Sequence, residues 1–94
     1  MKQAYVYILG NNCLTLYIGV TSDLIKRVYL RKQKIVSGFS SKYKLYKLLY
    51  YEVFTEIKEV IRGEKQLKNW HREWKLNLIR SKNPSFKDLY SEIL

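Results

Sequence analysis

The chain has 94 residues, enough for one domain with a core that folds alone by a narrow margin. Its 18 Lys and Arg against 8 Asp and Glu give a formal net charge of +10, which attracts polyanions, nucleic acid before an acidic membrane surface or protein partner. A single cysteine, Cys13, and a single histidine, His71, exclude an internal disulfide and a zinc cluster.

Ala4 to Leu9 is a short run of β-branched, aromatic and aliphatic residues, which predicts a strand. Gly10-Asn11-Asn12 supplies turn residues, and Thr15 to Gly19 predicts a second strand, so the pair reads as an antiparallel hairpin. Alternation places Tyr5, Tyr7 and Leu9 on one face with Val6 and Ile8 on the other. Tyr17 and Gly19 likewise share a face, opposite Leu16, Ile18 and Val20. The simplest register buries the aliphatic set and gathers the tyrosines. Thr21-Ser22-Asp23 is a helix start, with a side-chain oxygen to cap and an acid in the first turn. That helix is predicted over Asp23 to Lys34, with Leu24, Ile25 and Val28 as its apolar positions. Ser37 to Ser41 reads as a loop, and Leu45 to Phe54 as the third strand. Thr55-Glu56 opens the longest helix, predicted to reach Arg80, and Asn83-Pro84 stops it. Ser85 and Asp88 fit a capping pair for a last helix, Phe86 to Leu94, docking through Phe86, Leu89 and Ile93. The order is β-β-α-β-α-α: a single α/β (α+β) domain over residues 1–94 with no repeat or linker.

Glu64 stands out on the long helix. Ile57, Val60, Ile61, Leu67, Trp70, Trp74 and Leu78 follow the spacing of a buried stripe, and Glu64 falls inside it. A carboxylate there needs a partner, because an unpaired buried charge costs several kcal/mol. An internal salt bridge and a metal or substrate ligand are level on position alone. Mg²⁺ prefers one or two carboxylates plus water and phosphate oxygens, so the second reading has a chemistry.

Arg27, one turn beyond Leu24, is either a solvated cation or a fork for phosphate oxygens. Tyr7 and Tyr17 are strand aromatics that can also pass protons or hold an attacking water. Gly19 gives a phosphate room to approach the backbone. Lys65, Lys68, Arg72 and Lys75, preceded by Arg62, form a basic stripe that is a solvated face or a track for a nucleic-acid backbone. Lys42, Lys44 and Lys47, interleaved with Tyr43 and Tyr46, offer charge and stacking to a single strand.

Together these residues resemble the GIY-YIG nuclease superfamily, and most closely its small single-domain bacterial members of the UPF0213 type. Tyr5-Val6-Tyr7-Ile8-Leu9 stands for the first motif and Leu16-Tyr17-Ile18-Gly19-Val20-Thr21 for the second. Asp23-Leu24 with Lys26-Arg27 is similar to the helix carrying the family arginine. Glu64-Lys65-Gln66-Leu67-Lys68 with Trp70 is similar to the segment carrying the metal-binding glutamate. Asn83-Pro84 with Lys87-Asp88-Leu89-Tyr90 resembles the tail. The resemblance implies a three-stranded antiparallel sheet flanked by helices, and phosphodiester hydrolysis assisted by one divalent ion, Mg²⁺ or Mn²⁺. It implies that Tyr7 and Tyr17 position or deprotonate the attacking water, Arg27 neutralises the scissile phosphate, and Glu64 holds the metal. Gly19, Tyr5, Arg31, Lys65, Lys68 and Arg72 would then bind substrate. Three positions depart from the pattern. Tyr5 replaces the motif glycine, Arg31 stands where close relatives often carry histidine, and Gly63 precedes Glu64 in place of a bulkier helix former.

The reading that follows is a small metal-dependent endonuclease acting on DNA. The alternatives are a catalytically weak nucleic-acid-binding module of the same fold and a protein-interaction domain built on Trp70, Trp74 and the tyrosines. No apolar run approaches a bilayer span, and Met1-Lys2-Gln3 leads directly into a strand-like segment without a signal region. A soluble, cytoplasmic monomer is expected.

Overall fold

The computed structural model describes residues 3–11, 15–36 (34–36 by backbone alone), 45 and 47–94. The predicted hairpin turn at Asn12, the loop at Ser37 to Ser41 and the stacking residues Lys42, Tyr43, Lys44 and Tyr46 lie outside the described residues. The elements are β1 (Ala4–Gly10), β2 (Leu16–Thr21), α1 (Leu24–Val36), β3 (Lys47–Phe54), α2 (Ile57–Asn69), α3 (Arg72–Lys82) and α4 (Tyr90–Ile93). The three strands form one antiparallel sheet in the order β2-β1-β3, flanked by helices, as the family resemblance implies.

The strand alternation sorts the core into two layers. On one face Val6, Ile8, Ile18, Leu49 and Tyr50 pack with Val60, Leu67 and Ile79 of α2 and α3. On the other, Tyr7, Leu9 and Leu48 pack with Leu24 and Val28 of α1 and with Leu89 of the C-terminal segment. Both faces are therefore covered, and the tyrosine face is a core layer rather than an open chemical surface. Tyr7 itself is fully buried.

Helix α1 begins at Leu24, with Asp23 as its cap: the Asp23 carboxylate accepts from the Lys26 amide at 3.1 Å, and its own amide donates to Thr21 Oγ1 at 3.0 Å. The predicted long helix is two helices. Trp70 and His71 take extended backbone, with ψ of 148° and 151°. Unbroken from Ile57 to Lys82, the helix would run about 39 Å, longer than the largest dimension of the domain, 35 Å. The break folds α3 back onto β3 and sets the Trp70 ring against the core. The predicted stripe is buried only in part: Val60 and Leu67 are in the core, whereas Ile57, Ile61 and Trp74 are exposed. The Trp74 ring meets Trp70 and His71 edge-on at the surface.

The predicted last helix shrinks to α4. Asp88 does not cap it from Ser85. Instead its carboxylate accepts from the Leu48 amide at 3.0 Å and the Tyr90 amide at 3.1 Å, and it pairs with Lys32. The Leu89 amide donates to the Leu48 carbonyl at 2.8 Å, so the segment lies along the outer edge of β3. Phe86 packs into one core layer while Leu89 and Ile93 pack into the other. No helix among the described residues is long and apolar enough to cross a membrane.

Candidate functional site

The predicted constellation gathers at the opposite edge of the sheet, where β2 lies between the flanks of α1 and α2. Tyr7 pairs with Gly19 across β1 and β2, and Leu9 with Tyr17. The two phenols are therefore diagonal neighbours on one face, with ring centroids 6.4 Å apart. Gly19 is needed for this arrangement. A Cβ there would lie 2.4 Å from the Tyr7 hydroxyl and 2.5 Å from its Cζ. The space opened by Gly19 is thus filled by Tyr7, whose buried ring crosses β2 to present its hydroxyl near the edge.

Arg27 reaches that hydroxyl, donating from Nη1 to Tyr7 Oη at 3.4 Å, and its remaining donors face solvent. One turn on, the Arg31 guanidinium stacks 4.6 Å over the Tyr17 ring. Tyr17 is 37% exposed, so one of the two phenols is open to a ligand while the other is held in the core. On α2, Ile57, Ile61, Glu64 and Lys68 follow one another at spacings of four, three and four residues along one flank of the helix. Val60 and Leu67 beside them are buried. This half-buries Glu64, whose Oε2 accepts from Lys68 Nζ at 2.9 Å. The hydrogen bond from Lys68 to Glu64, reinforced by the charge of that carboxylate, holds the Lys68 ammonium above its ordinary range. Burial of Lys68 acts against this, and Tyr17 and Tyr7, where ionised, would add to it.

Tyr5 is elsewhere. Its hydroxyl donates to Gln3 Oε1 at 3.3 Å, and its ring lines a separate cleft with Ser22, Asp23, Ile25, Tyr51 and Ile93. The basic stripe is also divided. Lys65 is exposed on α2, Arg62 is paired with Glu59, and Arg72 opens the separate helix α3. The sequence marks Asn83 only as part of the Asn83-Pro84 helix stop and of the tail, not as a buried tie. It is buried, donates to the Leu49 and Lys87 carbonyls and accepts from the Lys87 amide, so it ties the tail to β3. The Glu64–Lys68 pair had a clearer signal, the four-residue spacing of acid before base.

Among the described residues no group of three or more His, Cys, Asp or Glu could hold a metal ion. Glu64 is a lone, half-buried carboxylate on α2, the helix that packs against β2. That donor set fits a hard divalent cation that keeps its waters and takes further oxygens from a phosphate.

The family model described as the GIY-YIG catalytic domain matches residues 3–77. A UPF0213 protein of Streptococcus pyogenes is 44% identical over 57 residues, covering 56% of this chain and 58% of that protein. The match thus spans little more than half the length of the streptococcal relatives. A UPF0213 protein of Syntrophus aciditrophicus is 33% identical over 85 residues, covering 89% of this chain and 97% of that protein. The solution NMR structure of a UPF0213 protein from Bacillus halodurans is similar with a TM-score of 0.59 and 28% identity, covering 92% of each chain.

Proposed function

The chain belongs to the GIY-YIG family, in its UPF0213 branch, and on that footing we propose that it is a small metal-dependent endonuclease hydrolysing phosphodiester bonds of DNA. The observation that carries this reading is the gathering of Tyr7, Tyr17 and Arg27 at the β2 edge, with Glu64 on α2, the helix that packs against β2. Arg27 offers free guanidinium donors beside a phenol, a fork that matches two phosphate oxygens and offsets charge building on them during attack. Tyr17, the exposed phenol, is placed to orient the attacking water or take its proton. Tyr7 is buried and hydrogen-bonded, so it positions Arg27. Glu64 would hold Mg²⁺ or Mn²⁺, which when bound supplies Lewis-acid stabilisation of the phosphate oxygens. The net charge of +10 raises the encounter rate with DNA. Incubation with single-stranded, duplex and branched DNA is expected to give metal-dependent cleavage that a chelator stops. No cleavage of any of the three would sink the proposal.

A second reading rests on Arg31. Stacked on Tyr17, it offers charge where a proton carrier would otherwise stand. A binding module of weak activity would hold DNA or RNA without metal, with affinity falling steeply in salt.

A further inference from the structure

Two cations are assigned to one carboxylate. The proposed function gives Glu64 to a divalent ion, yet in the free protein Glu64 Oε2 receives the Lys68 ammonium at 2.9 Å. Resting on that reading of Glu64, we propose that Lys68 is a built-in competitor of the metal: it occupies the carboxylate in the free protein and is displaced when the divalent ion binds. The geometry suits an exchange. Glu64 and Lys68 are one turn apart on α2, so the pair re-forms without moving the backbone. The Lys68 side chain is 54% exposed and swings out freely, whereas the Glu64 side chain is 25% exposed and confined beside Val60 and Leu67. The carboxylate stays and the ammonium leaves. Once displaced, Lys68 remains on the flank that carries Glu64, where a phosphate oxygen can take it. A bound phosphodiester that draws Lys68 away therefore raises metal affinity, and the metal raises phosphodiester affinity by the same factor.

The test is a Mn²⁺ titration of the full chain at low ionic strength, read from paramagnetic broadening of the α2 amide signals in NMR spectra. Exposed ion pairs are weak, so Lys68→Met is expected to bind Mn²⁺ about two- to fivefold more tightly than the wild type. Lys68→Arg, which keeps the cation, is expected to bind as the wild type does. Lys65→Met removes the same charge from a lysine without an ion pair among the described residues, and is expected to gain less than Lys68→Met. Glu64→Gln is expected to lose the site. If Lys68→Met binds no more tightly than the wild type or than Lys65→Met while Glu64→Gln loses binding, the competition is overturned and the metal reading stands. If Glu64→Gln binds like the wild type, the metal reading itself fails, and the competition with it.

Discussion

The two outer edges of this three-stranded sheet are finished in opposite ways. At the β3 edge, Asn83, Asp88 and Leu89 bond to the backbone of the strand and the tail at 2.8–3.1 Å. Asn83 is buried, and the Asp88 carboxylate pairs with Lys32 besides. At the β2 edge the contacts are between side chains: Arg27 donates to Tyr7 at 3.4 Å, Arg31 stacks 4.6 Å over the Tyr17 ring, and the half-buried Glu64 pairs with the exposed Lys68 at 2.9 Å. An unprotected edge invites pairing with another chain, and the tail removes that hazard at β3. The difference separates two uses of polar groups. Buried groups that satisfy backbone atoms fix the fold, while exposed groups with replaceable partners are free to meet a ligand.

Four substitutions or conditions test that division, the largest first. Arg27→Ala is expected to lower cleavage by about 100-fold or more and to cost at most about 1 kcal/mol of stability, because it removes a single 3.4 Å bond to Tyr7 from an exposed side chain. A clear loss of stability would make it a structural residue. Asn83→Ala is expected to do the reverse: it strands the Leu49 carbonyl in the core and removes both bonds to the Lys87 backbone, costing about 2–3 kcal/mol in urea unfolding, with activity per folded molecule retained. Gly19→Ala should damage both edge and core, since the new methyl meets the packed Tyr7 ring, and overpacking of this kind costs about 1–3 kcal/mol. A stable, active Gly19→Ala protein would show that Tyr7 has room to move.

The smallest effect concerns acid. Burial pushes the Asp88 carboxyl up, but Lys32 and the Leu48 and Tyr90 amides outweigh it and hold it below its ordinary value of 3.8. A carboxyl depressed in the folded state adds stability that is complete above the unfolded value and disappears as pH falls through the folded one. The urea midpoint is therefore expected to drop below about pH 4, and to drop less in Asp88→Asn. An equal drop in both proteins would remove Asp88 from the account. Tyr50 runs the other way: burial and then its bond to Glu52 raise its phenol well above the usual range, so it stays neutral through neutral pH.

The hairpin was legible because strand alternation is local. Tyr7, Gly19 and Tyr17 share a face in the register observed, as their spacing requires. The three-stranded antiparallel sheet implied by the family resemblance is also the one observed. Less legible was anything decided at long range. Trp70-His71 carries no glycine or proline, yet the helix breaks there and α3 packs back on β3. The one glycine inside the pattern, Gly63, stays helical, with room for a side chain 3.4 Å from the Phe54 ring. The Ser85 and Asp88 pattern resembled a local cap, but the Asp88 carboxylate went to a strand forty residues away. Periodicity left Glu64 level between an ion pair and a metal ligand. The structure adds its partner, Lys68, and a place on the helix that packs against β2. Alternation gathers the tyrosines on one face, and the structure shows that this face is buried too, as a second packed layer.

The central claim is that the β2 edge is a metal-dependent phosphodiesterase site held by Glu64. Its most direct test is single-turnover cleavage of branched DNA in Mn²⁺ by the wild type and by Glu64→Gln, with melting temperatures measured in parallel. The account predicts that Glu64→Gln melts with the wild type and cuts at least about 100-fold more slowly. Equal cutting by the two proteins would contradict it.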